Sequence, residues 1–177
     1  FSLDLPTELD GSFHLTSPST QSEWLRKLFE KAVAGFYAVA LEKQEWRVST
    51  GTQLTWQISD KTLGIDEILP SMKTDIIIRR NSTGERLIID TKFNSVTTKS
   101  LHREEVLRSS YLYQIYCYLR SQENTKDINS LTSIGLLLHP TVDEEVTEMV
   151  TIQGHSIWFC TVNLGESALS IRERLLL

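Results

Sequence analysis

Apolar residues between Trp24 and Ala40 recur at helical spacing: Trp24, Leu25, Leu28, Phe29, Ala32, Val33, Phe36 and Ala40 form one broad stripe. With Ser22 as N-cap, the spacing predicts a helix from Glu23 to about Glu42. Ahead of it the chain is rich in Ser, Thr and Pro without a sustained period, so residues 1–21 read as an irregular lead-in to one domain over 22–177. Trp46–Ile58 alternates around Gly51, as a strand interrupted by a turn would, and Leu63–Leu69 reads as a short helical turn ended by Pro70. Two Ile-rich runs follow, Asp75–Arg79 and Leu87–Lys92, joined by Asn81-Ser-Thr-Gly84; they predict a β-hairpin. Beyond a polar loop at Asn94–Ser100, a helix begins near His102 or Ser109 and runs to Arg120. Ser130–His139 is apolar enough for a buried central strand. Thr147–Ile152 and Ser156–Val162 read as strands turning at Gln153-Gly154, and Glu166–Leu177 as an amphipathic helix. The order is that of an α/β fold.

The hairpin carries the chemistry. Centred on Ser82 and Thr83, it pairs residues whose numbers total 165, which sets Asp75 opposite Asp90. Directly opposed residues share a face, with Cβ atoms about 4.5–5.5 Å apart. Side chains alternate with period two, so Lys92 points to the face of Asp90. Opposed carboxylates repel unless a cation sits between them. The pattern therefore reads as a site for a hard metal ion at an exposed strand end.

Asp-(x)n-Asp-x-Lys on neighbouring strands resembles the core of the PD-(D/E)xK nuclease superfamily. The segments "LFEKAVAGFY" (Leu28–Tyr37), "MKTDIII" (Met72–Ile78), "LIIDTKF" (Leu87–Phe93) and "YLYQIYCYL" (Tyr111–Leu119) stand in the order of the McrC family, the nuclease subunit of modification-dependent McrBC restriction systems. Gln114-x-x-x-Tyr118 resembles the Gln-x-x-x-Tyr motif of the RecB-like branch. The resemblance covers roughly Ser22 to Gln122, with Thr74 in place of the family's Pro before the first Asp, a Pro that is often absent.

It implies an αβββαβ core, a mixed sheet flanked by helices, and a metal-dependent DNA endonuclease. The implied cofactor is Mg²⁺, with Mn²⁺ as a substitute. The implied partners are double-stranded DNA and a GTPase AAA+ ring subunit of McrB type that finds 5-methylcytosine DNA. The chain opens on Phe1 rather than Met, which reads as a piece of a longer protein without the partner-engaging N-terminal region.

Composition narrows this further. Over 177 residues, 40% are hydrophobic and 23% charged, in the range of ordinary soluble domains. There is neither an apolar run long enough for a membrane span nor a secretory signal. Two cysteines make no disulfide framework, and Cys117 in its apolar helical run reads as a buried thiol; a cytoplasmic protein is expected. The net charge of −5 is unlike a stand-alone DNA binder. Residues 79–108, however, hold seven Lys or Arg against four acids, a local +3 that reads as a phosphate-holding strip beside the metal site, or as charged loops around a hairpin.

Phosphodiester hydrolysis needs an activated water, neutralised charge on phosphorus and a stabilised leaving oxygen, which carboxylate-held Mg²⁺ can supply. Asp75 and Asp90 are the natural ligands, and Lys92 would position the water and stabilise developing charge. Charges at a solvated strand end are the alternative for either residue alone. The resemblance adds the Thr91 backbone carbonyl and Glu30 as further metal ligands, and Gln114 and Tyr118 as a catalytic wall near phosphate. Read by pattern alone, Gln114 and Tyr118 make core hydrogen bonds and Glu30 is a rim acid on a surface helix. His139 reads as a satisfied structural histidine, and His14 and His155 have no partner at ligand spacing. No Gly-x-Ser-x-Gly elbow or Gly-rich phosphate loop is present, so any GTP hydrolysis belongs to another subunit. The rival readings are a RecB-like exonuclease or repair nuclease, and an inactive scaffold of the same fold that binds a partner.

Overall fold

The computed structural model describes residues 18–42, 45–98, 106–142 and 144–176. The elements are α1 (Pro18–Leu41), β1 (Trp46–Thr50), β2 (Gln53–Leu54), α2 (Ile65–Ile68), β3 (Met72–Lys73), β4 (Ile76–Arg80), β5 (Arg86–Thr91), β6 (Thr97–Thr98), β7 (Val106–Leu107), α3 (Ser109–Ser121), a 3₁₀ helix (Ile128–Thr132), β8 (Ile134–Pro140), β9 (Thr147–Ile152), β10 (His155–Val162) and α4 (Ala168–Leu175).

The hairpin register is the one the turn dictates. Ile78 pairs with Leu87, Ile77 with Ile88 and Ile76 with Ile89, and the ladder ends there with Asp75 and Asp90 as the next residues of the two strands. Gly84 closes the loop at φ 79°, a left-handed conformation that favours glycine, and its N–H bonds the Arg80 carbonyl at 2.9 Å. Around this hairpin a six-stranded sheet forms in the order β1-β4-β5-β8-β10-β9. β1, β4 and β5 are antiparallel neighbours, β8 lies parallel to both β5 and β10, and β9 closes the far edge antiparallel to β10. The fold is mixed α/β, and its main elements from α1 through β1, β4, β5 and α3 to β8 follow one another as helix, three strands, helix, strand.

Period-two alternation divides the core. Ile76, Ile78, Ile89, Leu138 and Val162 face α1 and α4, packing on Phe29, Val33, Tyr37, Leu41 and Leu175. Ile88, Leu137, Ile157 and Phe159 face α3, packing on Ile115, Tyr118 and Leu119. Asp90 shares the parity of Ile88 and belongs to the α3 face, while Asp75 stands just ahead of β4. β8 lets α3 come close through Gly135, where a Cβ would lie 2.8 Å from Ile115 Cγ1.

Several expectations are corrected. α1 begins at Pro18, so Ser22 lies inside it rather than capping it; Pro suits a first turn, where its missing N–H is unneeded. The remainder of the expected lead-in, 1–17, lies outside the described residues. The buried stripe of α1 is the narrower row Phe29, Val33, Tyr37 and Leu41, while Trp24 and Leu28 are exposed, because one i, i+4 row meets the sheet. α3 starts at Ser109; His102 and the other residues of 99–105 are outside the description. The expected loop after β5 contains β6, which pairs with β7. Ser130–Ser133 belongs to a 3₁₀ helix and its end rather than to β8, since both hydroxyls bond back to turn carbonyls. No helix among the described residues is long and apolar enough to cross a membrane.

Candidate active site

The hairpin end away from the loop lies between α1 and α3, and the residues singled out in the sequence meet there. Asp75 is anchored across to β5: its Oδ2 accepts from the Thr91 backbone N–H at 2.7 Å and from the Thr91 hydroxyl at 2.8 Å. The strand leading into it is fixed as well. Thr74 is fully buried, and its N–H donates to the Thr52 carbonyl at 2.9 Å, a bond a proline could not make.

Asp90 is 1% exposed, which overturns the solvated strand end expected from the sequence. It sits on an interior strand, with β4 and β8 alongside and α3 over its face. Lys92 Nζ lies 2.7 Å from Asp90 Oδ2 in a buried ion pair, and no other group among the described residues donates to that oxygen. Burial above all, opposed by Lys92 and reinforced by Asp75 and then Glu30, brings the Asp90 carboxyl up to about 6. A buried carboxylate with one counter-charge and two acids in its field is under-compensated.

From Lys92 a chain of hydrogen bonds crosses to α3. Lys92 Nζ donates to Gln114 Oε1 at 2.9 Å, Gln114 Nε2 donates to the Tyr118 hydroxyl at 2.7 Å, and that hydroxyl donates to the Lys73 carbonyl at 2.8 Å. Gln114 and Tyr118 are i and i+4 on α3, so one helix face supplies both. Tyr118 is buried and packs in the core while making these hydrogen bonds, as its pattern alone predicts. On α1, Glu30 is half-buried; burial raises its carboxyl, Asp75 raises it further, and Lys73, Lys31 and Lys27 draw it down.

The donors able to hold a hard cation are therefore the carboxylates of Asp75 and Asp90, with Glu30 in their field. Among the described residues no three His, Cys, Asp or Glu side chains form a ready-made metal cage.

Of the basic strip expected along 79–108, Lys92 is in the site and Arg108 stands in the field of His139, but the arginines of the hairpin are not beside it. Arg79, Arg80 and Arg86 lie at the loop end of the hairpin, four or more residues from Asp75 and Asp90, or about 14 Å along a strand. There they pair with acids: Arg86 with Asp127 at 3.0 Å, Arg79 with Asp127 at 4.0 Å and Arg80 with Glu85 at 3.2 Å. Lys99 and Arg103 are outside the described residues. The cations in the field of Glu30 are instead Lys27, Lys31 and Lys73. Sequence reasoning passed over Lys73, although period two puts it in phase with Asp75.

His139 is the buried, satisfied histidine expected, with Nδ1 2.8 Å from the Asn94 carbonyl; burial brings it down to about 4, so it is neutral near pH 7. His155 has partners the sequence did not reveal: the Ser133 carbonyl at Nδ1 and Glu123 at Nε2. Cys117 is half-buried, its Sγ 3.8 Å from Met72 Sδ.

Comparison with known proteins adds a family. Residues 24–140 match the family model described as McrBC 5-methylcytosine restriction system component. The type IV methyl-directed restriction enzyme EcoKMcrBC of Escherichia coli (strain K12) is 38% identical over 134 residues, covering 72% of this chain and 35% of that protein. The chain thus spans about a third of the length of this curated relative.

Proposed function

The chain belongs to the McrBC family of 5-methylcytosine restriction system components, and from that premise we propose that it carries the nuclease centre: a Mg²⁺-dependent endonuclease of PD-(D/E)xK type acting on double-stranded DNA. The observation that carries the proposal is the under-compensated Asp90 carboxylate, facing Asp75 and touched by Lys92. The helix, three strands, helix, strand order and the mixed sheet support the PD-(D/E)xK reading.

The residues suit Mg²⁺ better than a metal that needs a full protein cage. Mg²⁺ typically takes one or two carboxylates and keeps several waters. Asp75 and Asp90 would hold it, with the Thr91 carbonyl and Glu30 as further oxygens at the rim. Such an ion supplies Lewis-acid polarisation of the phosphate and lowers the pKa of a water.

The rest of the chemistry falls to the chain's own groups. Lys92 Nζ, held by Asp90 and Gln114, keeps a third donor for the incoming water or a phosphoryl oxygen and offsets charge as the pentavalent state forms. Gln114 fixes the direction of that ammonium, and Tyr118 fixes Gln114 by anchoring it to the backbone ahead of Asp75. Hydroxyl and carboxylate groups on rigid elements limit reorganisation during the reaction.

We assign choice of methylated DNA and GTP hydrolysis to a ring-forming partner, in line with the methyl-directed activity named for the relative. The test is cleavage of methylated plasmid by the full-length protein with its GTPase partner. Strand breakage that requires Mg²⁺ or Mn²⁺ and stops with chelator supports the proposal; metal-independent breakage removes it.

A further inference from the structure

Lys92 has a third neighbour besides Asp90 and Gln114. Its ammonium stands 4.9 Å from the centre of the Tyr111 ring, within the range where a cation is drawn to an aromatic face. The ring is itself fixed: the Tyr111 hydroxyl accepts from Asn94 Nδ2 at 2.6 Å, and the His139 ring lies against it at 6.0 Å. His139 Nδ1–H in turn donates to the Asn94 carbonyl, which ties ring, loop and β8 together. Tyr111, Gln114 and Tyr118 stand at i, i+3 and i+7, one face of α3, so a single helix carries the ring, the amide and the hydroxyl that surround Lys92.

A lysine has four rotatable bonds and a strongly hydrated head, and contacts at its tip alone do not fix its stem. We propose that Tyr111 is a positioning residue for Lys92: its ring face, braced by Asn94 and His139, keeps the ammonium at Asp90 and Gln114 with one donor free for the phosphoryl group. The proposal rests on the nuclease reading for its catalytic consequence, but the placement of Lys92 can be read without any cleavage.

Two measurements on Tyr111→Phe and Tyr111→Leu test it. In proton NMR, a methylene beside an aromatic face moves upfield, so the Lys92 ε-CH₂ signal, assigned by its loss in Lys92→Ala, should stand upfield of the other lysines in wild type and Tyr111→Phe. It should return among them in Tyr111→Leu. In single-turnover cleavage at saturating DNA, Tyr111→Leu should lose about tenfold in rate, or about 1.4 kcal/mol of transition-state stabilisation. Its DNA affinity should be unchanged, and Tyr111→Phe should restore most of the rate. An ordinary Lys92 signal in the wild type overturns the clamp whatever the Tyr111 variants do. A Tyr111→Phe rate as low as that of Tyr111→Leu also overturns it, because the hydroxyl rather than the face would then matter. Absence of any cleavage by wild type would instead remove the nuclease reading, while the NMR signal still decides whether Tyr111 holds Lys92.

Discussion

One oxygen of Asp75 receives both the backbone N–H and the hydroxyl of Thr91, at 2.7 and 2.8 Å, across the end of the hairpin. The first carboxylate is thereby oriented by the strand that carries the second. Removing the hydroxyl leaves the backbone bond, so Thr91→Val should cost about 1 kcal/mol of stability. Cleavage should drop several-fold, and less than in Asp75→Asn. Melting curves and single-turnover rates measured together check the ordering.

Two buried groups near the site titrate in opposition. Asp90, facing Lys92, Asp75 and Glu30, is raised from 3.8 to about 6, so the native state holds its proton more tightly than the unfolded chain. Its contribution to stability is present below pH 3.8 and is lost as pH rises through 6. His139, facing Lys92 and Arg108, is lowered from 6.5 to about 4; its contribution is present above pH 6.5 and is lost as pH falls through 4. The slopes offset each other in the metal-free wild type. Asp90→Asn should therefore gain stability as pH rises from 4 to 6.5, and His139→Gln should lose stability from 4 to 6. Chemical denaturation across that range reads both signs.

Gln114 bridges Lys92 and Tyr118, but Tyr118 keeps its bond to the Lys73 carbonyl without it. Gln114→Ala should cost only about 1 kcal/mol of stability. Loss of the ammonium's direction should slow cleavage on the order of 10- to 100-fold. A large melting shift with a normal rate per folded molecule would assign Gln114 to the core instead.

DNA contacts should follow the cations near Glu30 rather than the paired arginines of the hairpin loop. Substituting Lys31 and Lys73 together by Ala should lower the salt dependence of DNA binding by about two in log–log slope. Arg79→Ala and Arg80→Ala should leave it unchanged. Filter binding over a salt series distinguishes the two surfaces.

Local information carried the hairpin. A polar loop ending in Gly84 fixes the turn, the turn fixes the register, and the register fixes which side chains oppose. The Gln114–Tyr118 face was legible for the same reason, since helix spacing is local. The burial of Asp90 was not, because it depends on β8 arriving from 44 residues along the chain and on α3 packing over the strand. The hairpin arginines of the basic strip were misread because neighbours in sequence run along strands: Arg79 and Arg86 are carried away from Asp75 and Asp90 by the same extended geometry that brings the two carboxylates together. Tyr111 was visible three residues before Gln114, but only the position of Lys92 gave it meaning.

The central claim is that Asp90 and Lys92 perform chemistry rather than hold the fold. The most direct measurement is Mg²⁺-supported DNA cleavage by Asp90→Asn and Lys92→Ala, with circular dichroism and melting on the same samples. The account predicts loss of cleavage in both variants with secondary structure intact. For Asp90→Asn it also predicts an unchanged or higher melting temperature in metal-free buffer above pH 7, because an under-compensated buried charge has been removed. Cleavage at the wild-type rate in either variant, with the fold intact, would contradict it.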